Sequence, residues 1–131
     1  MFTLAQIEGV QSKIKSAADF PYYVQDLKTL GVLVFETMVL DSSTIFHGAD
    51  SFQVVSQPRY DALDVAANSN KEQFVHSLKI HQQGETDYLT FCRHCVECGI
   101  EKWVVDTNQL TCIYFDKAGN EILVEHIPSP V

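Results

Sequence analysis

The feature that most constrains the fold of this chain is a pattern that occurs twice, at a constant offset of 68 residues, as from Asp19 to Asp87. In each copy, two segments with apolar residues at helical spacing precede segments rich in β-branched and aromatic residues, which are typical of strands. Asp19, Phe20, Tyr23, Leu27 and Gly31 correspond in this way to Asp87, Tyr88, Phe91, Cys95 and Gly99. Unrelated helix–helix–strand units would also share caps and spacing, so coincidence and duplication both stay open. A duplication predicts two ααβββ units, the pseudo-halves 1–58 and 69–131, in a single domain over residues 1–131.

Local signals predict the boundaries of these elements. A short polar residue marks the start of each helix, and a glycine marks the end of the second, third and fourth helices, as Gly31 does for the second. The predicted N-caps are Thr3, Asp19, Asn68 or Ser69, and Thr86. Six strand segments follow the helix pairs, and we expect a further short strand at 62–66 and a hairpin turn at Gly119. The predicted fold class is α+β, with antiparallel strands and with the helices packed on one face of the sheet.

Composition and charge narrow the classes of partner. Hydrophobic residues make up 46% of the chain and charged residues 20%, which is typical of a folded domain. Nine basic and 17 acidic side chains give a net charge of -8. Because nucleic acids and anionic membranes bind clustered Lys and Arg, this acidity argues against both as partners. The N-terminus has no pattern of a secretion signal, and the apolar run at 32–35 is too short to span a membrane, so we expect a soluble, cytoplasmic protein with reduced cysteines.

The cysteines raise the question of a metal site. Cys92, Cys95 and Cys98 have the C-x2-C-x2-C spacing found in zinc and iron–sulfur sites, and a fourth ligand would have to come from Cys112 or His126. At the offset of 68, however, the three cysteines correspond to Val24, Leu27 and Leu30, which are ordinary core residues. Since free cysteine behaves as a small apolar side chain, we expect a core role, with no metal and no cofactor.

Two tyrosines are the candidates for a contact surface. Tyr22 corresponds to Thr90 and so lies off the aromatic face that the two copies share, and with Tyr60 it could mark an interaction site. No nucleophile elbow, phosphate-binding loop, dinucleotide fingerprint or zinc-protease helix occurs in the sequence. We therefore name no catalytic residues and expect the protein not to be an enzyme.

Three segments resemble a known family. DFPYYVQDLKTLGV, SNKEQFVHSLKIHQQGETDYLTFC and above all GIEKWVVDTNQLTCIYFDKAGNEILVE are similar to the YdfO/YbcV-like family of uncharacterised enterobacterial and prophage proteins, often labelled "phage envelope protein". The resemblance covers nearly the whole chain and implies a single α+β domain of prophage origin. It supplies no catalytic or binding residues, and the sequence shows none of the features of an envelope protein.

Three functional hypotheses follow. The first is a cytoplasmic accessory protein that acts by protein–protein contacts, with an unknown protein partner or as a homodimer. The second is a small-molecule binding protein or enzyme with a pocket between the two halves, where the faces of Phe35 and Trp103 would meet. The third is an acidic DNA mimic that inhibits a nucleic-acid enzyme.

Overall fold

A computed structural model describes residues 1–129; Pro130 and Val131, which the single-domain prediction includes, lie outside the described residues. The helices are α1 (Leu4–Gln11), α2 (Phe20–Leu30), α3 (Lys71–Gln82) and α4 (Tyr88–Glu97), with short 3-10 turns at Ala17–Asp19 and Ala49–Ser51. The strands are β1 (Val34–Met38), β2 (Thr44–His47), β3 (Gln53–Val55), β4 (Ile100–Asp106), β5 (Thr111–Asp116) and β6 (Glu121–His126).

The start of α1 follows the predicted cap. The Thr3 hydroxyl accepts a hydrogen bond from the Gln6 amide at 3.2 Å, and the Gln6 side chain accepts one from the Thr3 amide at 2.8 Å, which together form a capping box. At the other end of the helix pair, Gly31 caps α2 in the left-handed conformation with φ of 107°. The predicted caps Thr3 and Gly31 are therefore confirmed. Both were predictable because a cap depends only on neighbouring residues.

The caps predicted for α3 and α4 are displaced by one or two residues. α3 is capped by Asn70, which accepts from the Gln73 amide at 3.1 Å, and α4 by Asp87, which accepts from the Thr90 amide at 2.8 Å. At α3 and α4 the segment contains several polar residues able to cap, and the tertiary path of the chain selects among them. Asp19 is the N-cap residue of α2, as predicted, but its carboxylate accepts from the Lys15 and Ser16 amides and makes no capping bond to α2.

The expected strand at 62–66 is absent from the structure. The Leu63 amide donates to Leu40 O at 2.7 Å, whereas the Ala66 amide donates to Val96 O at 2.8 Å. Because these two bonds go to different elements, the segment has no single neighbour with which to form a ladder. It instead links the β1–β2 turn to the end of α4.

The six strands form one antiparallel sheet in the order β3-β2-β1-β4-β5-β6, which confirms the α+β class. The helices cover one face, and aromatic rings connect the two layers: Tyr23 of α2 contacts Phe35, and Phe91 of α4 contacts Trp103, at centroid distances of 5.9 and 6.0 Å. Phe74 of α3 packs on Tyr114 at 4.8 Å. The core therefore lies between the sheet and the helices.

The strand registers recur at the offset of 68. Phe35 pairs with Phe46 across β1 and β2, and Trp103 pairs with Tyr114 across β4 and β5. In the central pair, Glu36 lies opposite Val104, its own equivalent at that offset. The outer pairs differ by one residue, since Ile45 pairs with Val55 whereas Ile113 pairs with Val124. These registers describe a regular arrangement, and its origin by duplication stays a prediction.

Candidate functional site

The candidate site is the face of the sheet opposite the helices, which we call the open face. Successive side chains of a strand point to opposite faces of the sheet. Phe35 and Val105, which pair with each other and are buried, lie on the core side, so the residues next to them along each strand lie on the open side. The apolar residues of the open face are Val34, Met38, Ile45, Val55, Val104, Ile113, Phe115 and Val124. All are at least partly exposed, and Val55 and Val124 are 50% and 44% exposed.

The apolar character of this face is unusual. An antiparallel sheet with one solvated face normally alternates apolar residues toward the core with polar residues toward water. Here β1, β4 and β5 carry apolar side chains on both faces, as Phe115 on the open side of β5 and Tyr114 on its core side show. Extended apolar patches on a protein surface mark contacts with other molecules.

A polar cluster lies near the middle of the open face and consists of Glu36, His47 and Lys102; we call it the central cluster. Glu36 Oε2 is 3.1 Å from His47 Nε2, and Glu36 Oε1 is 3.5 Å from Lys102 Nζ. Partial burial alone would raise the pKa of Glu36, but the contacts with His47 and with the Lys102 charge outweigh it and lower the pKa. Lys102 Nζ also lies 5.3 Å from the centroid of the Phe115 ring, in cation–π contact.

The chemistry available to the central cluster is limited by its surroundings. A carboxylate, an imidazole and an ammonium group could exchange protons, but each of the three is already held by another member of the cluster. Two surface depressions of the described residues lie elsewhere, and one of about 480 Å³ is lined by Asn70, Glu72, Gln73 and His76 at the start of α3. A smaller one, of about 100 Å³, lies between α1 and α2 and includes Tyr22.

The cysteines lie in the core. Cys92, Cys95 and Cys98 are buried on or just after α4, Cys112 is buried on β5, and all four are free thiols. The Cys92 thiol lies beside the hydroxyls of Tyr60 and Tyr88, and burial raises its pKa. Burial also raises the pKa of Cys112 to about 12. These thiols therefore stay protonated at neutral pH and are poor nucleophiles and poor metal ligands in this state.

The structure separates the suggested fourth ligands. Cys112 pairs with Glu125 on the core side of the sheet, whereas His126 is exposed and pairs with Thr111 on the open side. The sheet thus lies between His126 and the cysteines. Within residues 1–129, no three His, Cys, Asp or Glu side chains are placed to hold a metal ion. The absence of a bound metal stays a prediction that elemental analysis can test.

The two tyrosines have different environments. Tyr22 is 58% exposed on α2 and is free to contact another molecule. Tyr60 is half-buried, its hydroxyl donates to the Val39 carbonyl, and burial raises its pKa. The hydroxyl of Tyr60 is therefore used inside the protein, and Tyr22 is the more exposed of the two side chains.

The residues of the proposed pocket between the halves are also in the core. Phe35 is 2% exposed and Trp103 is 7% exposed. Phe35 contacts the Tyr23 and Phe46 rings, and Trp103 contacts the Tyr88 and Tyr114 rings. A ligand at this place would have to displace aromatic contacts, and the pocket stays a prediction.

Sequence reasoning did not identify the open face. The sequence patterns assign no role to Glu36, His47 or Lys102. A usable signal exists in the strands themselves: VLVFETMVL and TCIYF place apolar residues on both faces, which predicts strands covered on both sides. With four short helices on one side, that pattern indicates a second covering layer, which residues 1–129 do not supply.

Comparisons with known proteins give a family and no function. The model of a protein family described as a protein of unknown function (DUF1398) matches residues 8–126, nearly the whole chain. No curated protein matches the sequence. In the described part of the chain, no helix has both the length and the apolar character needed to cross a membrane. The narrower YdfO/YbcV-like and prophage interpretation stays a prediction.

Proposed function

We propose that this chain, which belongs to the DUF1398 family, is a non-catalytic binding module that acts by protein–protein contacts through its open face. The observation that supports this most directly is the row of apolar side chains on the solvent side of a six-stranded sheet. The cytoplasmic location and prophage origin expected from the sequence belong to the same proposal.

The composition of the open face suits a protein partner. Interface centres are depleted in charged residues, and burying apolar surface contributes roughly 25 cal/mol for each Å² removed from water. The eight apolar residues of the open face lie on all six strands, so a partner that covers the face would bury them together. The open face suits nucleic acid poorly, because its strands offer the phosphate backbone the basic side chain of Lys102, which is already paired with the acidic Glu36.

The central cluster supports binding over catalysis. Glu36 is in contact with both His47 and Lys102, and the three groups lie on a sheet surface with water on one side. Catalysis by such groups gains most of its strength when a closed site excludes water and aims them at a substrate. In a protein interface, by contrast, paired polar groups at the centre of an apolar surface set the orientation of the partner.

Site-specific photo-crosslinking in the cells that make the protein tests the proposal. A benzophenone amino acid replaces Val55 or Val124, at opposite sides of the open face, or Val75 on α3 as the matched control, which is 42% exposed. We expect covalent protein adducts from Val55 and Val124 and few from Val75. Adducts that form from Val75 and not from the open face would refute the proposal.

A further inference from the structure

We infer that the occupant of the open face is a second copy of this chain, so that two sheets pack face to face around a two-fold axis that runs between β1 and β4, parallel to the strands. This inference rests on the proposed function, since it names the partner of the same surface. Three properties of the face support it, namely its area, its charges and the positions of its residues.

The open face is continuous across all six strands and has the area of a small interface. Six strands spaced about 4.8 Å apart span about 25 Å, and β1, β4 and β5, of five, seven and six residues, are about 17–24 Å long at roughly 3.4 Å per residue. The projected area is on the order of 500 Å². Because side chains stand out from the sheet, the accessible area is larger than the projected area, and a standard interface buries roughly 800 Å² on each partner.

The charge of the open face favours a copy of the same chain. The whole chain has a net charge of -8, so most contacts between two copies would bring carboxylates together. On the open face the basic Lys102 lies among the acidic Glu36, Asp106 and Glu121. Because both signs of charge lie on this face, a second copy can be oriented so that the lysine of each copy faces carboxylates of the other.

The positions of Glu36 and Lys102 make the face self-complementary. Glu36 lies opposite Val104 and Met38 lies opposite Lys102, so the two charges are two residues apart along neighbouring central strands. Rotation about an axis between β1 and β4 places β4 of one copy over β1 of the other. Lys102 of each copy then lies over β1 of its partner, two residues from Glu36, across the roughly 10 Å that separates packed sheets. A lysine side chain can bridge most of that gap.

The first experiment measures the mass of the purified full chain by size-exclusion chromatography with light scattering over a dilution series. We expect a mass near twice the 14.8 kDa of one chain. Val55→Lys and Val124→Lys should raise the dimer dissociation constant at least about tenfold, whereas Val75→Lys should leave it unchanged. Both positions are already about half exposed, so a lysine is tolerated by the fold, and circular dichroism with a melting curve checks this for each variant.

The second experiment tests the arrangement by exchanging charges. Glu36→Lys alone and Lys102→Glu alone each place like charges at the centre of a homodimer and should weaken it. An equimolar mixture of the two variants should restore dimers, because every contact between copies then joins opposite charges. Weakened single variants that stay monomeric when mixed would overturn the arrangement.

Failure of this inference differs from failure of the proposed function. A wild-type chain that is monomeric at every dilution, with crosslinks from Val55 and Val124 to another protein, overturns the homodimer and leaves the contact function in place. A monomeric chain without crosslinks from the open face overturns both.

Discussion

At the scale of single residues, Gly99 is held by two independent constraints. It follows α4 with φ of +80°, and a Cβ built there would lie 2.6 Å from the backbone oxygen of Asn68 and 2.8 Å from Cα of Ser69. The 68–70 segment is held close to Gly99 by the Asn70 amide, which donates a hydrogen bond to Cys98 O at 2.9 Å. Backbone atoms cannot move aside as a side chain can, so the glycine is required for space as well as for conformation.

Comparison with Gly84 separates the two constraints. Gly84 has φ of +81° and no atom within 4 Å of a built Cβ. We expect Gly84→Ala to lower the free energy of unfolding by about 1 kcal/mol from left-handed strain alone, and Gly99→Ala by roughly 3 kcal/mol or more because the clash is added. Urea denaturation of both variants measures the difference. Equal losses would mean that the 68–70 segment does not pack against Gly99 as described.

The same residues show what a sequence can predict at this scale. The glycine ends of α2 and α4 follow from local pattern, because the left-handed conformation is a property of the chain at that point. The contact of Gly99 with Asn68 and the approach of His47 to Glu36 do not, because they depend on how distant segments meet. The central cluster was missed for this reason, whereas the burial of the cysteines followed from comparing α4 with α2.

At the scale of elements, α2 and α4 have equivalent roles although their sequences differ. Leu27 and Cys95 are separated by the offset of 68, and both are 0% exposed in the layer between helix and sheet. A carboxylate at either position would be buried without a partner. We expect Leu27→Asp and Cys95→Asp to reduce the free energy of unfolding by similar amounts, several kcal/mol each.

Chemical denaturation with circular dichroism measures these losses. Leu27→Met and Cys95→Val are the matched controls, because they keep an apolar side chain of similar size and should cost less than about 1.5 kcal/mol. If Cys95→Asp proved harmless while Leu27→Asp was severe, α4 would not be packed as α2 is, and the duplication hypothesis would lose its main support.

The element types were predictable and their exact ends were not. Four helices and six strands follow from apolar periodicity, since period and residue type are local properties of each segment. The strand expected at 62–66 was wrong because strand formation needs a neighbour, and the amides of Leu63 and Ala66 find acceptors on two different elements. The N-caps moved to Asn70 and Asp87 because adjacent polar residues compete for the same role.

At the scale of the whole molecule, the fold class can be predicted from the sequence, whereas the binding partner of the open face cannot. An α+β layering is implied by two helix pairs and six strands. Whether the second face of the sheet meets water, a ligand or another chain depends on assembly, and assembly is not a property of one segment. Residues such as Ile113 and Val104 indicate only that water is a poor partner for that face.

The buried ionisable groups give the whole molecule a defined response to alkali. Burial raises the pKa values of Cys92 and Cys95, and it raises that of Cys112 to about 12, whereas an unfolded thiol has the ordinary value of 9.0. At a pH between the ordinary thiol pKa and the raised native pKa, the thiols of the unfolded chain have lost protons that the native thiols still bind. The native state therefore becomes less stable as pH rises above 9, by about 1.4 kcal/mol per pH unit for each fully buried thiol. Tyr23, whose pKa burial raises to about 12, adds to the loss above pH 10.

Urea denaturation at a series of pH values from neutral to alkaline measures this slope. Stability should be nearly flat near neutrality and should fall steeply above pH 9, and Cys112→Val should make the fall shallower by up to about 1.4 kcal/mol per pH unit because one titrating group is gone. The control is Thr111→Val, which changes the neighbouring residue on the open face without removing a titratable group. Any constant effect of Cys112→Val on packing shifts the whole curve and leaves its slope unchanged. An unaltered slope in Cys112→Val would therefore show that this thiol ionises as readily in the native protein as in the unfolded chain, which is incompatible with its burial on β5.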